Sequence, residues 1–220
     1  MNIEDWDIFL KYKNKNQMLS NSVYVPYVNK EKTVFCMDYN YNSKYFFDRP
    51  DYTQSKMDFY LQNEIKFLKH LANETFCPEV LDIDVIKKRI FFKWYDTSLN
   101  HLINENLFKE QYAEQATSTL SRLEKLGIYK INFYPHTCYL CNDELKIHDL
   151  YGCVSSTTHY LPMEILEPVL SYLDRHKFKT FENNGLVDMK KVYYFMLRSN
   201  PGQWPNPITR NNNEMSNYGI

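Results

Sequence analysis

The segment 111–149 changes its hydrophobic periodicity once, and this change limits the possible folds more than any other feature of the sequence. Apolar residues recur at helical spacing up to Leu126, and Gly127 stands where a helix would end. Two β-rich runs follow at 137–140 and 144–149, joined by a Cys-Asn-Asp turn. The segment therefore predicts a long amphipathic helix, a loop and a short hairpin, in that order.

The rest of the chain predicts a β-rich part followed by a helical part. Runs rich in β-branched and aromatic residues predict strands, and a period near 3.6 predicts helices. The expected strands are 22–28, 32–41, 79–86 and 89–95, with turns at 29–31 and 87–88, and the further helices are 56–72, 99–103, 162–177 and 187–197. The tail from Ser199 is dense in Pro, Gly and Asn and is expected to be irregular, with Trp204 as a candidate anchor.

Composition and charge exclude several classes of protein. With 220 residues and 44% hydrophobic content, the chain suits one domain or two packed lobes with a real core. The net charge of -1 gives no reason to expect nucleic acid or a membrane surface as partner. No stretch approaches the roughly 18 consecutive apolar residues of a membrane helix, and the polar beginning does not resemble a signal peptide.

The cysteine count and the residue bias suggest a compartment and an origin. Five cysteines are an odd and sparse set for a chain of this length, which predicts a reduced, cytoplasmic protein. The abundance of Asn, Lys and Tyr with only 5 Gly fits an AT-rich genome, such as that of a phage or another virus. In that case the location would be the host cytoplasm or the virion.

The segment 124–152, EKLGIYKINFYPHTCYLCNDELKIHDLYG, resembles the part of protein kinases that runs from the catalytic loop to the metal-binding motif. In that family the pattern is Leu-Gly-Ile, two or three residues, Asp-Leu-x-Pro-x-Asn, a strand, a turn, a strand and Asp-Phe-Gly. Without a gap, 126–128 matches the helix end, Pro135 the loop proline and 149–151 the metal motif. The order of elements over roughly 20–200 also resembles a protein-kinase-like domain.

The resemblance implies an α+β, two-lobed protein-kinase-like fold with a shortened C-terminal lobe. A single domain would cover 1–198, with a small β-rich lobe at about 20–96, a mainly helical lobe at about 97–198, and an irregular tail at 199–220. Glu64 would be the acidic residue of the helix in the first lobe. Trp94 and Tyr95 would belong to the hinge, where the family holds its nucleotide.

Departures from the family pattern bear on the function. Active kinases use a strand lysine, a proton-accepting aspartate, and an asparagine and an aspartate that hold magnesium. The matching positions here carry Met37, Asn132 and Thr137, and only Asp149 is retained. No glycine lies within 14–32 to form a phosphate-covering loop. Loss of a positioned base alone costs about 10²–10⁴-fold in rate, so ordinary catalysis is not expected. Without a phosphate-holding lysine, binding of Mg²⁺ and ATP is expected to be weak or absent.

Several candidate residues have two interpretations on sequence alone. Asp149 is either a magnesium ligand or a carboxylate that caps a turn, and Glu64 is either a functional residue or a charge on an exposed helix face. Asn132 fits a loop-shaping amide that bonds to backbone.

The Cys138-x-x-Cys141 pair, with His136 and His148 nearby, raises the question of a zinc site. A structural zinc site needs four converging ligands, and residues three apart on a strand point to opposite faces. No second such pair exists in the sequence. We therefore interpret the cysteines as core thiols, and His136 remains an alternative acid–base group.

The sequence favours a pseudokinase-like binding or scaffolding protein whose partner is another protein, not nucleic acid or a membrane. Two alternatives remain open: a divergent, active ATP-dependent phosphotransferase acting on proteins or small molecules, and a virion-associated structural protein on a kinase-like scaffold. The contents of the cleft between the lobes would separate them. Polar groups converging around Asp149 would favour an enzyme, and Phe, Tyr and Met side chains would favour a binding protein.

Overall fold

The computed structural model describes residues 1–9, 23–41, 53–130, 133–155, 160–162, 182–183 and 186–188. Within these ranges a β-rich N-terminal part and a mixed C-terminal part share one main hydrophobic core. The α+β class predicted from the sequence is confirmed. No helix in the described ranges is both long enough and apolar enough to cross a membrane.

The N-terminal part is an antiparallel sheet of five strands: β1 (Asp7–Ile8), β2 (Val25–Val28), β3 (Val34–Asp38), β4 (Val80–Asp84) and β5 (Arg89–Lys93). Their order across the sheet is β1-β2-β3-β5-β4. Asn29 shapes the first hairpin, because its side-chain oxygen accepts the backbone N–H groups of Thr33 and Val34, each at 2.8 Å. Both predicted hairpins are confirmed, whereas the sequence patterns do not predict β1.

Helix α1 (Gln54–His70) covers the inner face of this sheet. Thr53 begins the helix as N-cap, and its hydroxyl oxygen accepts the N–H of Lys56 at 3.3 Å. The buried side chains recur at helical spacing: Met57, Tyr60, Leu61, Glu64, Ile65, Phe67 and Leu68. They share the main core with the inward residues of the sheet, which include Met37, Ile90 and Phe92.

The C-terminal part begins with β6 (Thr97–Ser98), α2 (Leu99–Asn104), α3 (Glu110–Lys125), β7 (Ile128–Lys130), β8 (Cys138–Cys141), β9 (Glu144–Ile147) and β10 (Cys153–Ser155). Strands β6, β8 and β9 form one sheet, and β7 pairs with β10. Asn142 and Asp143 have φ values of 52° and 64°, the left-handed backbone that a tight two-residue hairpin turn requires. Gln115 docks this turn on α3, because its amide donates to the Asp143 carbonyl and accepts the N–H of Leu145.

Near the C-terminus the structure has three short strands, two of which include residues that the sequence predicted to be helical. They are β11 (Tyr160–Pro162), β12 (Glu182–Asn183) and β13 (Leu186–Asp188), and β13 lies between the other two. Pro162 pairs with Leu186, and Val187 pairs with both Leu161 and Glu182. The helix predictions at 162–177 and 187–197 are therefore wrong at these first residues, because cross-strand pairing outweighs local spacing. Their remaining residues and the tail from Ser199 lie outside the described residues.

Candidate functional site

Asp149 follows strand β9 and is almost fully buried, with 5% of its surface exposed. Its backbone is left-handed, with φ 63° and ψ 50°, a conformation that aspartate tolerates better than most residues. The hydroxyl of Tyr24, the residue directly before β2, donates a hydrogen bond to Asp149 Oδ1 at 2.5 Å. Burial is the main cause that raises the pKa of the Tyr24 hydroxyl well above its usual value, and the Asp149 charge raises it further. The hydroxyl therefore remains a donor at neutral pH.

Lys130, the last residue of β7, lies beneath Asp149 and is fully buried. Its Nζ donates to the backbone carbonyl of Asp149 at 3.1 Å. Burial lowers the pKa of the Lys130 ammonium, and the negative charge of the groups around it, Asp149 among them, opposes that shift. Lys130 thus holds the backbone of the Asp149 turn by a hydrogen bond from inside the core.

Glu64 faces the same turn from α1 and is fully buried, so its interpretation as a charge on an exposed helix face is wrong. Backbone N–H groups of Leu150 and Tyr151 donate to the carboxyl group. Burial, the larger cause, and the charge of Asp149 together raise the pKa of Glu64 to about 8. The carboxyl group is therefore largely protonated at pH 7. Its Oε1 has no hydrogen-bond partner among the described residues.

Asn63, the neighbour of Glu64 on α1, fixes the chain that follows Asp149. Its Nδ2 donates to the carbonyl of Tyr151 at 2.7 Å and to that of Cys153 at 2.8 Å. Together, the two α1 side chains hold both the N–H and the carbonyl of Tyr151. The turn after Asp149 is therefore tied to the helix by side-chain bonds from consecutive residues.

Met37 occupies the strand position where the kinase resemblance places a lysine. It is fully buried in β3, between Pro26 of β2 and Ile90 of β5, and Tyr39 Oη donates to its Sδ at 3.5 Å. A thioether is a weak acceptor without charge, so Met37 offers no positive group for phosphate oxygens.

Trp94 and Tyr95 follow β5 and border a recess between the two parts of the fold. Aromatic side chains fill it, and a free volume of about 10 Å³ remains, room for about one water molecule. The lining residues are Phe9, Phe35, Lys93, Trp94, Tyr95, Tyr139 and His148. Hinge groups are engaged inside the protein, since the backbone N–H of Trp94 donates to the Thr33 carbonyl and the Tyr95 hydroxyl accepts the backbone N–H of Glu79.

Thr137 is buried in a single 3-10 turn, Pro135–Thr137, that precedes β8. Its hydroxyl donates to the Tyr134 carbonyl at 3.0 Å and accepts the Tyr134 N–H at 3.2 Å. This hydroxyl is therefore engaged in local backbone bonds. Asn132, which the kinase resemblance places at the proton-acceptor position, lies outside the described residues.

The cysteine pair does not gather metal ligands. Cys138 is fully buried and Cys141 is half-buried, and burial raises the pKa of the Cys138 thiol to about 12. The ring of His136 stacks on that of Tyr134 at 5.3 Å between centroids. Across the part of the chain that the structure describes, no group of three or more His, Cys, Asp or Glu residues could hold a metal ion.

Comparison with known proteins identifies a related architecture. The chain superposes on a crystal structure of monomeric WbdD with a TM-score of 0.50 at 12% identity, covering 94% of this chain and 48% of that one. A second structure, described as the bifunctional kinase-methyltransferase WbdD, gives a TM-score of 0.50 at 12% identity, with 93% and 47% covered. The chain has a kinase-like fold. It spans about half the length of the WbdD chains, and no family model or curated protein sequence matches it.

The described residues of this kinase-like fold do not fit a bound magnesium nucleotide. A nucleotide needs a pocket of hundreds of cubic ångströms, and the hinge recess offers about 10 Å³. Magnesium prefers carboxylates together with phosphate oxygens and water, but one Asp149 oxygen already accepts the Tyr24 hydroxyl. The roles expected for Met37, Glu64, Thr137 and Asp149 in nucleotide binding stay predictions.

Sequence patterns missed three residues that shape this site: Tyr24, Asn63 and Lys130. For Lys130 a signal was available, because it directly follows two apolar residues that come after the helix-ending Gly127. A lysine in such a short apolar run is a candidate for burial with a partner. Tyr24 and Asn63 carry no comparable signal, since both act on residues more than 80 positions away.

Proposed function

We propose that the chain is a pseudokinase-like binding module that does not transfer phosphoryl groups and that acts by binding another protein. The hydrogen bond from Tyr24 to Asp149 carries this proposal, because it places a protein hydroxyl on the carboxylate that a kinase would use for magnesium. The filled hinge recess supports the same conclusion for the nucleotide base. In the proposal, the partner protein therefore binds outside the hinge recess.

Phosphoryl transfer depends on several positioned charges that act together. In the proposal, Met37 supplies no phosphate-binding charge, and Glu64 is largely protonated at pH 7. Restoring a single residue, as in Asn132→Asp, would therefore not restore activity.

Two measurements on the purified full chain test the proposal: incorporation of the γ-phosphoryl group of ATP, and the shift of the melting temperature with magnesium-ATP. We expect no labelling above that of Asp149→Asn, for the chain itself or for generic protein substrates. A ligand at ten times its dissociation constant stabilises a protein by about 1.4 kcal/mol, so a weak ligand would shift the melting temperature by a few degrees at most. Magnesium-dependent labelling of the wild type that Asp149→Asn abolishes would refute the proposal.

A divergent phosphotransferase is the second candidate. The observation in its favour is that Glu64 and Asp149 lie close enough for the charge of one to raise the pKa of the other, so two carboxyl groups meet at one turn. This function requires the Tyr24 hydroxyl to leave Asp149 when a nucleotide arrives. Labelling that increases in Tyr24→Phe and disappears in Asp149→Asn would support it over the binding module.

A further inference from the structure

Strand β4 (Val80–Asp84) is the last strand on its side of the five-stranded sheet. It pairs with β5 along one edge, and no strand of the described ranges pairs with its other edge. An edge strand presents backbone N–H and C=O groups to which a further strand can bind. We name residues 79–86, which contain β4 and the start of the turn after it, the β4 edge.

The β4 edge exposes apolar side chains to solvent. Leu81 is 43% exposed, Val85 55% and Ile86 93%. These are three of the six large apolar side chains that are exposed in the described ranges, so half of them fall within one short segment. Single exposed apolar residues are common on protein surfaces, whereas a cluster of them indicates an interaction site.

Acidic side chains lie along the same edge at Glu79, Asp82 and Asp84, and no basic residue lies between 79 and 86. Glu79 pairs with Lys93 at 3.2 Å and Asp82 with the N-terminal amino group at 3.9 Å, in both cases between exposed groups. Solvent screens such pairs, so the carboxylates can also attract a cation from outside. Two copies of the chain joined antiparallel at β4 would bring six carboxylates together, which is unfavourable. The edge therefore favours a basic segment over a second copy of itself.

A pocket of about 490 Å³ opens at the start of β4, where Glu79 and Val80 form part of its wall. Leu68 and Pro78 supply apolar surface, and Cys141 of the β8–β9 hairpin lies among the residues that close the pocket. Pockets of about 300–1,000 Å³ hold drug-sized molecules, so this one has room for an aromatic side chain. The pocket can thus anchor a segment that runs along β4.

We propose that the β4 edge binds an extended segment of a partner protein as an additional antiparallel strand, with an aromatic side chain of that segment in the pocket. Lysine or arginine residues of the segment face the carboxylates, and apolar residues between them meet Leu81, Val85 and Ile86. The added strand runs opposite to β4, so its aromatic residue lies at its C-terminal end. No described element has to leave its place. This proposal rests on the proposed function as a protein-binding module and specifies where the partner binds.

Strand addition of this kind gains affinity from backbone bonds and specificity from side-chain pockets. Antiparallel pairing is the more stable of the two arrangements per residue, and it continues the pattern of the sheet, in which β4 and β5 are antiparallel. The acidic residues, the exposed apolar residues and the pocket each select one property of the same segment.

The test of strand addition uses a fluorescein-labelled peptide in which valine and lysine alternate over the length of β4, with tryptophan at its C-terminal end. Its binding to the full-length protein is measured by fluorescence anisotropy. Two further peptides carry N-methyl groups on the odd or on the even residues. Only one of these sets of N–H groups can face β4, so we expect one methylated peptide to bind at least roughly tenfold more weakly than the other. Equal affinity of the two, or no binding of the unmethylated peptide at millimolar concentration, would overturn the proposal.

The test of the pocket uses Ala72, an exposed residue of the pocket wall, and its exposed neighbour Asn73, which does not line the pocket. Ala72→Trp fills the pocket, and Asn73→Trp is the matched control. We expect Ala72→Trp to weaken binding roughly tenfold and Asn73→Trp to leave it unchanged, since aromatic anchors dominate such interfaces.

A peptide with alanine in place of the tryptophan completes this comparison. It should bind both variants equally, because the contact that Ala72→Trp removes is already missing. If Ala72→Trp weakens both peptides to the same extent, the tryptophan does not enter the pocket and the proposal is overturned. If Ala72→Trp does not melt cooperatively, the wild type decides: the alanine peptide must bind it roughly tenfold more weakly than the tryptophan peptide.

Charge and oligomeric state are tested on the same protein. We expect Asp82→Lys to weaken peptide binding roughly threefold, and Glu114→Lys, which changes an exposed acid on α3, to have no effect. Equal affinity for these two variants would overturn the proposal. Sedimentation velocity should show a monomer. A dimer that dissociates in Ile86→Asp would assign the β4 edge to a second copy of the chain and overturn the partner-protein proposal.

These outcomes are distinguishable from failure of the proposed function. Magnesium-dependent phosphoryl transfer would refute the binding module without changing the peptide titrations. Conversely, peptides that do not bind as expected would refute this docking site while the ATP measurements stayed negative.

Discussion

The hydroxyl of Tyr24 donates a hydrogen bond to Asp149 Oδ1 at 2.5 Å, although the two residues lie 125 positions apart in the chain. The bond links the residue directly before β2 to the turn after β9. The Tyr24 ring also lies 6.0 Å from that of Tyr151, whose backbone is held by Asn63 and Glu64 of α1. The Asp149 carboxylate is therefore part of a hydrogen-bonded link between the two parts of the fold.

Removing this hydroxyl, as in Tyr24→Phe, should destabilise the protein while leaving the packing of the ring intact. A buried acceptor that loses its partner costs about 1–3 kcal/mol, and Asp149 is buried, with 5% of its surface exposed. We expect a loss in this range in the free energy of unfolding, measured by urea denaturation at pH 7.

Tyr112→Phe is the matched control. Its hydroxyl also donates to a carboxylate, that of Asp143, at 2.8 Å, but Asp143 lies in an exposed turn. Water can replace the lost donor there, so the expected loss is about 0.5–1 kcal/mol. Equal losses for the two variants would mean that the Tyr24 bond contributes no more than a surface bond.

Glu64 should make the protein less stable as the pH rises from about 5 to about 8. Its folded pKa of about 8 lies above the ordinary value of 4.5, because burial disfavours the charged form. Between these values the folded state retains a proton that the unfolded state has lost, so the free energy of unfolding falls as pH rises. The contribution has a slope of about 1.4 kcal/mol per pH unit within the window. Urea denaturation at pH 5, 6, 7 and 8 measures it.

Glu64→Gln should flatten this dependence, because the amide does not titrate. Glu74→Gln provides the control: the bond from Arg122 lowers the pKa of Glu74, so its contribution is lost only as pH falls through that lowered value, below the window. A wild-type profile that Glu64→Gln leaves unchanged would contradict the protonation assigned to Glu64.

Local patterns in the sequence predicted most of the fold. The β2–β3 and β8–β9 hairpins follow from runs of β-forming residues around turns, and α3 follows from its periodicity and from Gly127, whose φ of 68° ends the helix. These features depend on neighbours within a few residues. The kinase-like arrangement was also predicted, because the helix, loop and hairpin of 124–152 match the family in order and spacing.

The site could not be predicted to the same depth, because its decisive contacts join distant residues. Periodicity placed Glu64 on a helix, but its burial depends on the turn at Leu150, more than 80 positions later. In the same way, the sequence shows Trp6 only as part of a short apolar pattern. Its ring contacts Phe91, which lies in β5, far along the chain. The boundary at residue 198, the cellular location and the viral origin stay predictions.

Lys130 is buried beside the Asp149 turn, and its replacement should strongly lower the free energy of unfolding. Lys130→Ala removes a buried ammonium that bonds the Asp149 carbonyl and sits near buried acidic groups, so we expect a loss of about 3–5 kcal/mol. Lys130→Met keeps the length of the side chain and should be less destabilising, because it restores packing without the charge. Thermal and urea unfolding measure both variants.

Lys93→Met is the control for this pair. Lys93 lies near Glu79 at 3.2 Å, and both side chains are about half exposed. Solvent screens an exposed ion pair, so this change should be nearly neutral. If Lys130→Ala is as mild as Lys93→Met, then Lys130 does not support the Asp149 turn.

Two substitutions of Asp149 test its structural role, which combines a left-handed backbone with the acceptor for the Tyr24 hydroxyl. Asparagine retains an oxygen that can accept the Tyr24 hydroxyl and also tolerates the left-handed backbone, so Asp149→Asn should change the free energy of unfolding by about 1 kcal/mol or less. Alanine retains neither property. Left-handed backbone costs an alanine about 1–2 kcal/mol, and the Tyr24 hydroxyl loses its acceptor, so we expect Asp149→Ala to lose about 2–4 kcal/mol in urea denaturation.

The same two variants relate this structural role to nucleotide binding. If Asp149 mainly closes the fold, the melting-temperature shift with magnesium-ATP should be as small in Asp149→Asn as in the wild type, because neither protein presents a free carboxylate at the turn. Met37 would supply no phosphate-binding charge in either protein. A shift that is large in the wild type and absent in Asp149→Asn would instead make Asp149 a metal ligand. The Tyr24 bond would then be a resting contact that the nucleotide breaks.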